Sequence, residues 1–323
     1  MVDVRAKVGD AKDKAHQAKA RFDALRERRP IVDYLVTLAD RDSEAHGSVL
    51  GSAAALRLFL FLIPASLVFI SAMQLLNLSG PINDSVEDAY TTGDIAQAVD
   101  GGSFLRTLGL LLFGIVLTLW AGRSLGRVLA ATSVAAWRMP PHAAKVGVVA
   151  SAALSGVVFV EVVVATIANG IRDFGGLPAW TLSYGTLVAT SGVAWFFVLL
   201  VLPRGVSDPG ALLPGAIAMG VVQATAQVIL HGYAENKIAR TTDTYGDMAT
   251  TIAVLGNLFI LGRIMTASFS VSAVTYERFG SLSQLLFSLP GVRRLPRRYP
   301  KLAEYFSLDV EGTEAPPPAP TPT

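Results

Sequence analysis

The stretch from Ser48 to Leu76, SVLGSAAALRLFLFLIPASLVFISAMQLL, carries a single charge, Arg57. A helix rises about 1.5 Å per residue, so a run of this length crosses a hydrocarbon core of about 30 Å with room for tilt. A soluble domain has little use for so long an apolar helix. Arg57 adds a second constraint. A guanidinium stays ionised, and at bilayer depth it is costly unless it is paired or wetted.

The rest of the chain repeats the pattern. Of 323 residues, 52% are hydrophobic and only 16% are charged. Soluble proteins carry about 25% charged residues, so the deficit points to the membrane. A second span is predicted from about Thr107, running as helix into Trp137. Four more follow, at Val146 to Asn169, Ala179 to Leu202, Ala211 to Tyr233 and Met248 to Thr275. The expected fold is an all-α polytopic membrane protein with six transmembrane helices.

Charge gives the orientation. Ten Lys and Arg precede the first span, while Asn77 to Ser103 has five acids and no Lys or Arg. Alternate segments stay rich in Lys and Arg, through Arg123 to Lys145 and the C-terminal run Arg293 to Lys301. The positive-inside rule then puts both termini in the cytoplasm. Three regions follow: a basic helical N-terminal region (1–47), the transmembrane domain (48–278), and a C-terminal amphipathic and basic segment with a Pro-rich tail (279–323). Ile31 to Ala39 reads as a short amphipathic piece at the interface.

Several chemistries have no residues to carry them. There is no cysteine, so disulfides and thiolate metal sites are excluded. The four histidines are scattered without metal-ligand spacing. No P-loop, HExxH or GxSxG occurs, so neither an ATPase nor a familiar hydrolase is expected. No cofactor and no nucleic-acid partner is expected.

Three ionisable residues fall within predicted spans: Arg57, Glu161 and Arg263. Depth estimates from span centres leave a vertical gap of about 8 Å between Glu161 and Arg263, and about 13 Å between Glu161 and Arg57. Glu161–Arg263 is therefore the expected pair. Arg57 is left on the cytoplasmic half, near Arg123 and Arg127. Arg57, Arg123, Arg127 and Arg263 together are candidates for a cationic cavity that takes a phosphate-bearing ligand. Snorkelling to lipid phosphates competes as a reading for Arg123 and Arg127. Polar lining is expected from Glu161, Gln223, Gln227 and Asn257. Ala216, Gly220, Gln223, Gln227 and His231 share one helical face, and close packing is the default reading of that stripe. Ser183, Thr186, Thr190, Thr266, Ser268, Ser270 and Ser272 read as packing glue, as do the small-residue patterns Gly47–Gly51–Ala55 and Gly122–Gly126.

Four segments in order, GSVLGSAAALRLFLFLIP, TLWAGRSLGRVLAAT, LLPGAIAMGVVQA and YGDMATTIAVLGNLFILGRIMTASFSV, resemble the YihY/BrkB family of bacterial inner-membrane proteins, and its YhjD-type members most. The resemblance spans residues 45–278. This chain departs from the family pattern at Leu56, at Asn257 and at Thr266–Ala267–Ser268. The resemblance implies a multi-pass protein of the bacterial inner membrane, concerned with envelope integrity or lipid export; the missing motifs make it a non-enzyme by expectation. An older family label, ribonuclease BN, implies metal-dependent nuclease chemistry, for which this chain has no cluster of ligands. Two functions are therefore expected as alternatives. One is a non-ATP-driven transporter or flippase of an anionic lipid or other envelope component. The other is a structural scaffold without transport. Expected partners are membrane lipids, with homo-oligomers and envelope proteins left open.

Overall fold

A computed structural model describes residues 24, 26–75, 104–147, 149–157, 160, 164, 168, 175–233, 247–283, 287, 301, 305 and 306. Among these residues all regular structure is helical. The principal helices are α1 (Pro30–Glu44), α2 (Gly47–Leu75), α3 (Phe104–Ala136), α4 (Gly176–Val201), α5 (Leu213–Tyr233) and α6 (Asp247–Phe279). Short 3₁₀ turns occupy Pro141–Ala143 and Pro209–Leu212. Five segments, at Gly47–Ala72, Phe104–Ala136, Gly176–Val201, Pro209–Ile229 and Leu255–Phe279, are long and apolar enough to cross a membrane. The protein is a helical, multi-pass membrane protein.

These five match five of the six predicted spans to within a few residues. The expected span from Val146 to Asn169 is helical over residues 149–157 and is otherwise largely outside the described residues. The same holds for residues 1–23, the acidic segment before Phe104 and nearly all of the C-terminal basic run.

Local chemistry explains the helix ends. Pro30 opens α1, where its missing N–H is no loss. The α1–α2 turn passes through His46 at φ 51°, a left-handed residue that lets the chain reverse. Arg138 ends α3 at φ 50°. The Arg138 N–H bonds the Ala135 carbonyl at 3.1 Å and the Met139 N–H bonds Val134 at 2.8 Å, a Schellman closure on a residue where glycine is usual. Asp208 caps the 3₁₀ turn at Pro209 by accepting from the Gly210 N–H at 2.8 Å.

α6 is the axis of the bundle. It packs against α2 and α5 most extensively, and also against α1, α3 and the turn at Pro209. α3 packs chiefly on α2, and α4 chiefly on α5. Phe61, Leu125, Leu129, Trp195, Leu199 and Phe269 form the core. Trp195 meets Phe269 edge-on at 6.3 Å and donates its ring N–H to the Ser268 hydroxyl at 2.9 Å.

Glycines set the spacing between these helices. A Cβ on Gly262 would lie 2.6 Å from the Gly51 carbonyl and 2.7 Å from the Ala55 nitrogen. α2 and α6 thus touch through backbone at Gly51 and Ala55, two members of the Gly47–Gly51–Ala55 pattern. A Cβ on Gly215 would lie 2.2 Å from the Ser268 carbonyl, and one on Gly220 2.5 Å from the Val188 carbonyl. Ala216 and Gly220 therefore fit the packing half of the stripe expected on α5.

Candidate functional site

The four candidate arginines separate into two places. Arg57 lies on α2 and its Nη1 donates to the Ser124 hydroxyl on α3. Arg123 and Arg127 flank Ser124 in the chain, and all three arginines are exposed. Among the described residues no carboxylate pairs with any of the three. Arg127 follows Ser124 by one helical turn, and Arg123 and Arg127 are one turn apart, about 6 Å along the axis.

The face they share is apolar above them. Phe113, Val116 and Trp120 are 59%, 65% and 76% exposed and recur at helical spacing with Arg123 and Arg127. Leu56 and Leu60 are exposed beside Arg57 on α2. An exposed apolar stripe on a membrane helix faces acyl chains. The stripe ends in cations, with Trp120 one turn before them, the arrangement of a helix passing into a head-group layer.

Arg263 sits elsewhere. It faces the Gly47–Gly51 edge of α2, which lies about 100° around that helix from Arg57. Its guanidinium grips Asp42 of α1 with both ends, Nη1 to Oδ1 at 2.8 Å and Nη2 to Oδ2. The carboxylate on Arg263 is thus Asp42, where the sequence had suggested Glu161. Glu161 lies outside the described residues. The depth argument assumed that each span is centred on the bilayer. α6 instead runs on past Arg263 as buried helix, and Arg263 stands beside Gly51, one turn into α2, with its guanidinium reaching back to Gly47.

What encloses this end of α6 is α1 and its polar contacts. Arg41 is 3% exposed; it donates to the Ala136 carbonyl at 2.8 Å and pairs with Glu277. Asp33 holds Arg278 at 2.7 Å and Arg26 at 2.6 Å. Glu44 holds Arg138 at 2.7 Å. The Tyr34 hydroxyl meets the Thr275 hydroxyl at 2.8 Å. Hydrogen bonds from Arg26 first, and from Arg278, hold the Asp33 carboxyl below its usual range. The Arg138 hydrogen bond does the same for Glu44. The predicted short interfacial piece is therefore a docked fifteen-residue helix. None of its acids lies in an apolar span, so hydropathy does not mark them. The readable signal was complementarity: Asp33 and Asp42 before the first span, and Arg278 and Arg263 on the last.

The remaining candidates are scattered. Gln223 and Gln227 are half-buried on α5, and Asn257 is half-buried on α6. Ser183 bonds the Ala168 carbonyl at 2.8 Å. Thr186 and Thr190 bond their own helix four residues back. Ser272 accepts from the Gly215 N–H at 3.2 Å, joining α6 to α5. Ser270 is buried, with no hydrogen-bond partner among the described residues. No protein-family model, curated protein or solved structure matches this chain.

Proposed function

We propose that this is a bacterial inner-membrane protein with six spans and cytoplasmic termini, acting as a non-ATP-driven transporter or flippase of an anionic envelope lipid. One observation carries the reading: Arg57, a cation inside the first span, is exposed and rests on a hydroxyl rather than a carboxylate. An ionised group kept unneutralised at that depth needs an anionic partner or water. The resemblance to the YihY/BrkB family supports the same reading. So does the excess of Lys and Arg on alternate segments, which favours the orientation.

A second reading has its own support. Backbone contacts at Gly51–Gly262 and Gly215–Ser268, with α1 clamped by ion pairs, make a tight bundle suited to an envelope scaffold. Native mass spectrometry separates the two. The transporter reading expects anionic lipids to co-purify with the wild-type protein and to be lost from Arg57→Ala at unchanged folding. Identical lipid content in both would favour the scaffold.

A further inference from the structure

We infer that Arg57, Arg123, Arg127 and Ser124 form a lateral, lipid-facing site for the phosphomonoester head group of an inner-leaflet lipid. This rests on the lipid-handling reading above and adds the head-group class and the route of entry.

The route follows from the face. The arginines continue the exposed stripe of Phe113, Val116 and Trp120, not a chamber shared with Arg263. A ligand reaching them from the bilayer brings its phosphate to the cations and lays its chains along Trp120, Val116 and Leu60. The class follows from charge and donors. A phosphomonoester carries between one and two negative charges near neutrality and three terminal oxygens. A phosphodiester carries one charge and two free oxygens. Three guanidiniums uncompensated by any described carboxylate exceed what one diester neutralises. Guanidinium forks also suit paired phosphate oxygens. Ser124 adds a fourth donor: its oxygen accepts from Arg57, leaving its hydroxyl hydrogen to give. Side chains on a helix lean toward its N-terminus, so Arg127 leans back toward Ser124 and Arg123.

Full-length protein in phosphatidylcholine nanodiscs doped with either phosphatidic acid or phosphatidylglycerol supplies the test. Retained lipid is counted by native mass spectrometry. Wild type should retain phosphatidic acid at least about tenfold better, a difference of about 1.4 kcal/mol. Arg123→Gln/Arg127→Gln, on exposed positions, should lose that preference. Arg138→Gln, whose cation is held by Glu44, should keep it. Equal retention of both lipids by wild type, or an unchanged preference in the double variant, overturns the assignment. Displacement of phosphatidic acid by millimolar inorganic phosphate overturns the lipid as source and leaves soluble phosphate as the ligand. Selective binding without any transbilayer movement sinks the transport reading and leaves the site standing.

Discussion

At the scale of single residues, the glycines and the Asp42–Arg263 pair make the sharpest claims. Gly262→Ala puts a methyl group against the Gly51 carbonyl and the Ala55 nitrogen, neither of which can move without shifting a helix. The expected loss is about 1–3 kcal/mol. Gly109→Ala meets open space on α3 and should be neutral or stabilising by about 0.5–1 kcal/mol. Thermal unfolding in detergent should move the two variants in opposite directions, or leave the second unmoved. Asp42→Asn removes a charge from a bidentate pair. The Arg263 side chain is 36% exposed, so solvent limits the loss to about 1–2 kcal/mol. In a double-mutant cycle, Asp42→Asn should be nearly silent once Arg263 is Gln. Additive losses would mean that the pair contributes nothing of its own. Of this, the sequence shows that Arg263 is awkward but not what answers it. The partner, Asp42, lies on α1, 221 residues away in the chain and outside any apolar run, where hydropathy gives no hint.

At the scale of elements, hydropathy is a good guide where burial in lipid decides the structure. The ends of α2 and α4 fall within about three residues of their predicted places because apolar length is what the bilayer selects. It is a poor guide to α1, whose position depends on charges meeting across long sequence separation: Asp33 with Arg278, Arg41 with Glu277 and Asp42 with Arg263. α6 is close to its predicted span, Asp247–Phe279 against Met248 to Thr275. Its packing residues Thr266, Ser268, Ser270 and Ser272 are all buried, with Thr266 against α2, Ser268 against Trp195 of α4 and Ser272 against Gly215 of α5. The carboxyls of Asp33 and Glu44 are held below their ordinary range, so their contribution to docking is complete only above the ordinary carboxyl range, at pH above about 5. It is lost as pH falls through the depressed values. Hydrogen exchange in α1 should therefore rise on strong acidification while α2 and α4 stay protected. Uniform exchange across all helices would contradict a dock held by carboxylates.

At the scale of the whole molecule, orientation and activity can be tested together. The chain lacks cysteine, so each introduced thiol is a unique reporter. A cysteine at Asp94 should react with a membrane-impermeant maleimide in intact spheroplasts, and one at Arg28 only after the membrane is opened. The reverse pattern would invert the topology and place the arginine face in the outer leaflet. The candidate site was half legible: Arg57, Arg123 and Arg127 were visible as charges in apolar runs. Their union on one lipid-facing surface, and the exclusion of Arg263 from it, depends on helix rotation, which sequence periodicity does not fix for helices apolar nearly all round. The most direct test of lipid handling by Arg57 is transbilayer movement of a fluorescent phosphatidic acid in proteoliposomes without nucleotide. Wild type should move the lipid faster than protein-free vesicles, and Arg57→Ala should fall to the protein-free rate with an unchanged melting temperature. A wild-type rate equal to that of empty vesicles, or an Arg57→Ala rate equal to wild type, would contradict it.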